Sequence, residues 1–142
     1  MARTRRRTQA PPPRLILDSG AVIALSRNDQ RARAALAAAW EAGAEVSIPS
    51  VVVAETVRGT AKDAAVNRII KAAGVVNGAG EGIGRVAGAL LGAARSSSTV
   101  DAVVVATAIE SGGGVILTGD PDDLDALASG HPEVVIEPLS RR

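Results

Sequence analysis

The sequence contains no cysteine, no phenylalanine, no tyrosine and a single histidine, His131. Without Cys there is no thiol catalysis, thiolate zinc site, iron–sulfur cluster or disulfide framework. One His is too few for a His-rich metal cage and argues against a Ser-His-Asp triad. With Trp40 as the sole aromatic residue, the stacking platforms of common single-strand binders are absent. No apolar run approaches the ~18 residues of a membrane span. The charged N-terminus leads into Gln9-Ala10-Pro11-Pro12-Pro13 rather than an apolar signal core, so a soluble, cytoplasmic protein with no membrane partner is expected. What remains is the chemistry of carboxylates, hydroxyls, arginines and backbone groups.

The 142 residues suit one domain, long enough to bury about two-thirds of the surface of the unfolded chain. The net charge of +1 hides an uneven layout. Residues 1–14 hold five Arg and no acid, and Arg141 and Arg142 close the chain. The body between, 15–140, has nine basic against 15 acidic residues, a net −6. A simple nucleic-acid binder normally covers its contact face with basic residues, so an acidic body points toward metal binding.

Residues 1–13 read as a flexible basic arm ending in a polyproline II-like spacer. After it, short apolar runs alternate with Ala-rich helical stretches. Strands are expected at Leu15–Leu17, Glu45–Ile48, Gly74–Asn77, Val115–Thr118 and Val134–Ile136. Helices are expected at Asp29–Ala42, from Pro49-Ser50 to Gly59, at Ala61–Ala73 and at Gly82–Arg95. Two more run from Thr99 or Asp101 to Glu110 and over Pro121–Ala128. About seven helices interleaved with five strands imply right-handed crossovers, a parallel sheet and helices on both faces. Ligands in such sheets sit at the carboxyl ends of strands, near the switch in strand order.

Asp18 directly follows the first strand and Asp120 follows the fourth after Thr118-Gly119, so both belong to that end. Asp101 stands at a helix start after Ser96-Ser97-Ser98-Thr99, and Glu55 lies in the apolar run Val51–Val57. Taken singly each has an ordinary reading: a helix cap or turn residue for Asp18 and Asp120, a helix cap for Asp101, a solvated first turn for Asp122, Asp123 and Asp125. Taken together, several carboxylates at one end of a parallel sheet raise one another's pKa. A hard divalent cation relieves that repulsion, and Mg²⁺ prefers carboxylates, waters and phosphate oxygens. Such ions serve in-line phosphoryl displacement without His or Cys.

Leu15-Ile16-Leu17-Asp18-Ser19, Ala54-Glu55, Val100-Asp101-Ala102 and Leu117-Thr118-Gly119-Asp120 with Asp123 resemble, in order and spacing, the acidic signature of PIN domains. The length resembles the VapC-type toxins of bacterial toxin–antitoxin pairs, and the resemblance covers about 14–139. It implies a three-layer αβα sandwich around a five-stranded parallel sheet, with residues 14–142 as the PIN domain. It implies a Mg²⁺- or Mn²⁺-dependent endoribonuclease, in which an activated water attacks the scissile phosphorus and expels the ribose 3′-oxygen. Asp18, Glu55, Asp101 and Asp120 would be the catalytic acids. Asp18 and Asp101 would ligate metal directly, with Asp120 or Asp123 completing the site and Ser19 and Thr118 supporting it. An RNA substrate, a cognate antitoxin that blocks the acidic pocket, and a homodimer follow from the same resemblance. Gly20 departs from it, standing where the family often has Ser or Asn.

Other readings are weaker. Gly82-Ile83-Gly84-Arg85-Val86-Ala87 fits a dinucleotide fingerprint, but follows the third strand, and Asp101 opens a helix where the ribose-binding acid should end a strand. A dehalogenase-like phosphatase expects Asp-x-Asp where Asp18-Ser19-Gly20 stands. A phosphoaspartate receiver needs a late lysine, and Lys62 and Lys71 are the only lysines. A catalytically silent PIN-like scaffold and a DNA- or flap-specific nuclease are the remaining alternatives. The basic arm reads as a tail before a phosphate contact, Arg27, Arg31 and Arg33 as a solvated face, Trp40 as packing or a dimer contact, and His131 as a surface residue.

Overall fold

The structure, a computed structural model, describes residues 13–140. The expected arm therefore lies, apart from Pro13, outside the described residues, as do Arg141 and Arg142. Five strands, β1 (Arg14–Leu17), β2 (Glu45–Pro49), β3 (Val75–Asn77), β4 (Gly114–Thr118) and β5 (Val134–Pro138), form one sheet. Its order is β3-β2-β1-β4-β5, and every neighbouring pair is parallel. The chain winds outward from β1 through β2 to β3, then returns beside β1 as β4 and continues to β5. The order thus reverses between β1 and β4, which opens a crevice at their carboxyl ends.

Seven α-helices occur among the described residues: α1 (Ser19–Ser26), α2 (Gln30–Glu41), α3 (Ser50–Thr56), α4 (Ala64–Ala73), α5 (Glu81–Ala94), α6 (Thr99–Glu110) and α7 (Pro121–Leu127). The expected α/β sandwich with a parallel sheet is what forms. The two central strands are buried on both faces: Ile16, Leu17, Ile116 and Leu117 are at most 1% exposed. That explains why they read as unbroken apolar runs rather than alternating ones. Val22, Val52, Val104, Val105 and Leu124 bring α1, α3, α6 and α7 onto this core. Each such side chain stabilises the fold by roughly 1.5–3 kcal/mol relative to exposure. Gly113 is obligatory at the entry to β4, because its φ is +112° and a Cβ there would lie 2.7 Å from the Glu133 carbonyl oxygen.

Two expectations need correction. Helix α1 has no counterpart among the helices expected from the sequence, the first of which begins at Asp29. Its residues Ala21–Leu25 are apolar on every side, so they carry no helical periodicity, and Ala21, Val22 and Leu25 are all buried. The helix expected to reach Gly59 stops at Thr56, and the one expected from Ala61 starts as a single 3₁₀ turn before α4. Asp63 is the cause. Its carboxylate accepts the backbone N–H groups of Arg58 (3.0 Å), Gly59 (2.7 Å) and Thr60 (3.2 Å), which pulls this stretch out of helical conformation.

No single described helix is long and apolar enough to cross a membrane. Helices α5 and α6 reach that composition only together, across a 119° bend, and α6 is a core helix with Ala102 and Val104–Ala108 buried.

Two stability predictions follow from these local features. The N–H bonds, Arg58 first, hold Asp63 below the ordinary Asp pKa of 3.8 against the opposing effect of burial. Its stabilisation is therefore present above that pH and is lost on further acidification. Asp63→Ala is expected to lower the thermal midpoint at neutral pH, with the gap from wild type closing below about pH 4. Separately, Gly84 and Gly88 lie inside α5 with open space where a Cβ would point. Alanine at either should raise the free energy of urea unfolding by about 0.5–1 kcal/mol.

Candidate metal and active site

The acids meet where strand order reverses. Register continues past β1, and the Asp18 N–H donates to the Leu117 carbonyl at 3.2 Å. Asp18 has extended backbone and caps α1, its Oδ1 accepting the Ala21 N–H at 2.9 Å. The capping reading of Asp18 is thus correct, and it leaves the second carboxylate oxygen for other partners. Thr118, fully buried at the end of β4, donates its hydroxyl to Asp18 and accepts the Asp120 N–H at 2.9 Å. One hydroxyl therefore sets the separation of the two strand-end acids. The Gly119 N–H also reaches the Asp18 carboxylate.

Glu55 comes from α3, which leaves the carboxyl end of β2. It is exposed, and the Ser19 hydroxyl donates to its Oε1. Asp101 is the third residue of α6 and half-buried; it forms no cap, a position occupied by Ser98. Asp120 precedes α7 and caps nothing with its side chain, while Asp123 lies in the first turn of that helix. Asp18, Glu55, Asp101 and Asp120 line one cleft of about 420 Å³, together with Ser19, Gly20, Val100, Val104 and Gly119. Asp123 does not line it but faces Asp101 electrostatically. Among the described residues no Lys or Arg lines the cleft.

Uncompensated charge shows in the protonation equilibria. Burial raises the Asp18 pKa and the Glu55 charge adds to that, against the opposing hydrogen bonds from Thr118, Ala21 and Gly119. Asp101 is pushed up to about 6, first by burial and then by Asp123, Asp18, Asp120 and Glu55. Each of the other four acids acts on Asp101, which makes it the electrostatic centre of the group.

A hard divalent cation fits this donor set by chemistry: several negatively charged carboxylates, with no basic side chain among the described lining residues. Among the described residues no three Asp, Glu or His side chains converge closely enough to share one ion. The dinucleotide reading has no support in the fold. Gly82 and Gly84 lie inside α5, beyond the edge strand β3 and away from the β1–β4 switch.

The sequence reading missed what Gly20 does. A Cβ on Gly20 would stand 3.0 Å from the Gly119 nitrogen and 3.1 Å from its Cα. The absent side chain lets the loop after β4 close on the start of α1, which keeps the Gly119 N–H against Asp18. The sequence signal was the glycine between Thr118 and Asp120, which has meaning only once the two loops are known to touch.

The PIN domain family profile matches residues 15–129. The chain belongs to the PIN domain family. No curated protein matches it in sequence. Among solved structures, a toxin-antitoxin complex from Klebsiella pneumoniae is similar at 21% identity and TM-score 0.65, over 85% of this chain and 95% of that one. VapBC2 from Rickettsia felis, bound to a DNA fragment from their promoter, is similar at 13% identity and TM-score 0.66, over 87% and 97%. FitAcB from Neisseria gonorrhoeae is similar at 18% identity and TM-score 0.62, over 88% and 97%. At these identities the likeness is one of fold, and the PIN sandwich is common to all of them.

The Asp101 shift has a measurable sign. Its folded pKa of about 6 lies above the ordinary 3.8, so the stability it contributes is complete below 3.8 and is lost as pH rises through about 6. A full two-unit shift corresponds to about 3 kcal/mol, which solvent screening at a half-exposed group reduces to about 1 kcal/mol. In EDTA at pH 7, Asp101→Asn should therefore be more stable than wild type by about 1 kcal/mol, with the advantage vanishing below about pH 4. Urea titrations across that pH range provide the check.

Proposed function

We propose that this PIN domain is a Mg²⁺- or Mn²⁺-dependent endoribonuclease and the toxin of a VapC-type toxin–antitoxin pair. The observation that carries the reading is that Asp18, Glu55, Asp101 and Asp120 line one cleft in which no described Lys or Arg takes part, with Asp123 acting on Asp101. A protein has little reason to concentrate repelling carboxylates at a strand-end crevice unless a cation and a phosphodiester complete the site.

In this reading Asp18, Asp101 and Asp120 or Asp123 hold the metal. When bound, it neutralises phosphate charge and lowers the pKa of a water. The chain's own groups prepare the site. Thr118 and the Gly119 N–H orient the Asp18 carboxylate, the same Thr118 places Asp120, and Ser19 keeps Glu55 at the rim. Val100 and Val104 form an apolar wall that lowers the local dielectric around Asp101. Hydrolysis forms a bond from water oxygen to phosphorus and breaks the bond to the ribose 3′-oxygen, which departs with a proton.

The toxin assignment is supported by the fold shared with a toxin-antitoxin complex and with VapBC2. By the same analogy the chain pairs with a cognate antitoxin that blocks the acidic cleft and assembles as a homodimer. The exposed Trp40 on α2, 49% accessible, is available for such a contact.

Purified protein incubated with a mixed structured RNA pool in Mg²⁺, Mn²⁺ or EDTA tests the activity. Metal-dependent cutting is expected, with Asp18→Asn reducing it by more than the ~10–100-fold typical of a residue that merely supports a ligand. Cutting of DNA but not RNA would reassign the substrate. A folded protein inert toward both in every metal would favour a silent scaffold.

A further inference from the structure

A polyanionic substrate has to approach a cleft lined by four acids with Asp123 beside them, and the charge layout of the described residues shows a route. Residues 13–140 carry ten Lys and Arg against 15 Asp and Glu, yet the stretch from Val57 to Gly74 reverses this balance. Arg58, Lys62, Arg68 and Lys71 are all exposed there, and Asp63 is the only acid. Asp63 is 6% exposed, and its carboxylate is turned inward onto three backbone N–H groups. The outer surface of this stretch is therefore uniformly cationic.

Its placement links it to the cleft. The 3₁₀ turn and the start of α4 follow α3, and so lie beyond the carboxyl end of β2, the end of the sheet where the acids gather. Arg58 comes three residues after Glu55. Its guanidinium donates to the carbonyls of Ala54 (3.2 Å) and Val57 (3.0 Å), which fixes a cation at the end of the helix that presents Glu55. Helix α4 packs against α1, whose cap is Asp18. Along α4, Ala64, Asn67, Arg68 and Lys71 fall at helical spacing on one face and, with Ile70, line a shallow depression of about 440 Å³. The ten residues of α4 span ~15 Å, so the cations form a row rather than a point. A row of separated, exposed cations without an enclosed pocket suits a ligand with repeating charge that is read through its backbone.

We propose that Arg58, Lys62, Arg68 and Lys71 form the platform that holds the phosphate backbone of single-stranded RNA and feeds it to the acidic cleft. This rests on the nuclease reading above and adds to it the surface by which substrate is held. The platform supplies affinity, while the acids do the chemistry.

The test compares full-length wild type with Lys62→Gln/Arg68→Gln/Lys71→Gln, using a labelled mixed-sequence RNA oligonucleotide at several salt concentrations. Arg58 is left in place because its guanidinium also holds backbone. Each phosphate contact with a single strand contributes about 0.7 to the slope of log K against log salt. The triple variant should therefore lose about 2 from that slope, with KM raised at least about tenfold, kcat and thermal midpoint unchanged. Neutralising Arg31 and Arg33 on α2 is the control and should leave slope and KM as in wild type. An unchanged slope in the triple variant, or an equal loss in the control, overturns the platform while leaving RNA cleavage by wild type intact. If wild type neither binds nor cuts RNA, the nuclease reading falls first and the platform with it.

Discussion

Like charges confined at the carboxyl ends of β1 and β4 repel one another, and an apolar frame holds them in place. Ile16 and Leu17 lie beside Ile116 and Leu117 in register, buried on both faces of the sheet. The residues that follow these strands, Asp18 and Thr118-Gly119-Asp120, cannot separate without pulling core strands apart. Thr118 then ties the two ends with one buried hydroxyl that serves both acids. Burial first, with the neighbouring negative charges adding to it, raises the pKa values of Asp18 and Asp101.

The acidic residues divide into two kinds by what their oxygens meet. Asp29 and Asp63 spend their charge on backbone N–H groups, the first as the cap of α2 and the second in the turn before α4. Such acids stabilise local structure, and at Asp63 the N–H groups hold the pKa below its ordinary value. Asp18 does both jobs, capping α1 through one oxygen while remaining in the cleft. Asp101 and Asp120 occupy helix-start positions and cap nothing. A carboxylate at a helix start that declines the cap is free to serve a ligand, and that distinction separates these acids from ordinary first-turn residues.

The same logic organises the surface. A net-negative body would repel nucleic acid, yet cations are gathered where the chain leaves β2 and descends through α4. Glu55 and the basic row lie on consecutive stretches of one segment, Glu55 to Lys71, where the inward-facing Asp63 ends α3 at Thr56 and delays α4 to Ala64. The turn that upset the expected helix boundaries also holds Arg58 at the end of α3, three residues after Glu55.

Much of this was legible before any coordinates. Unbroken apolar runs such as Leu15–Leu17 and Val115–Leu117 announced buried parallel strands, and the acids that follow them fell by topology at one end of the sheet. The order of Asp18, Glu55, Asp101 and Asp120 was enough to suggest the PIN family. Helix α1 was illegible because Ala21–Leu25 are apolar on every side, the exposed Ile23 included, and so show no amphipathic period, and the early end of α3 depended on contacts made by Asp63 further along the chain. Gly20 looked like a lost polar contact until the loop after β4 was seen to lie against it. By itself, then, the sequence determined which groups are available and at which strand ends, since those are properties of local pattern. Which of the acids repel, which hydroxyl joins two of them, and where the cations lie relative to both were decided only by tertiary structure, because electrostatic and hydrogen-bond energies depend on distances in space rather than along the chain.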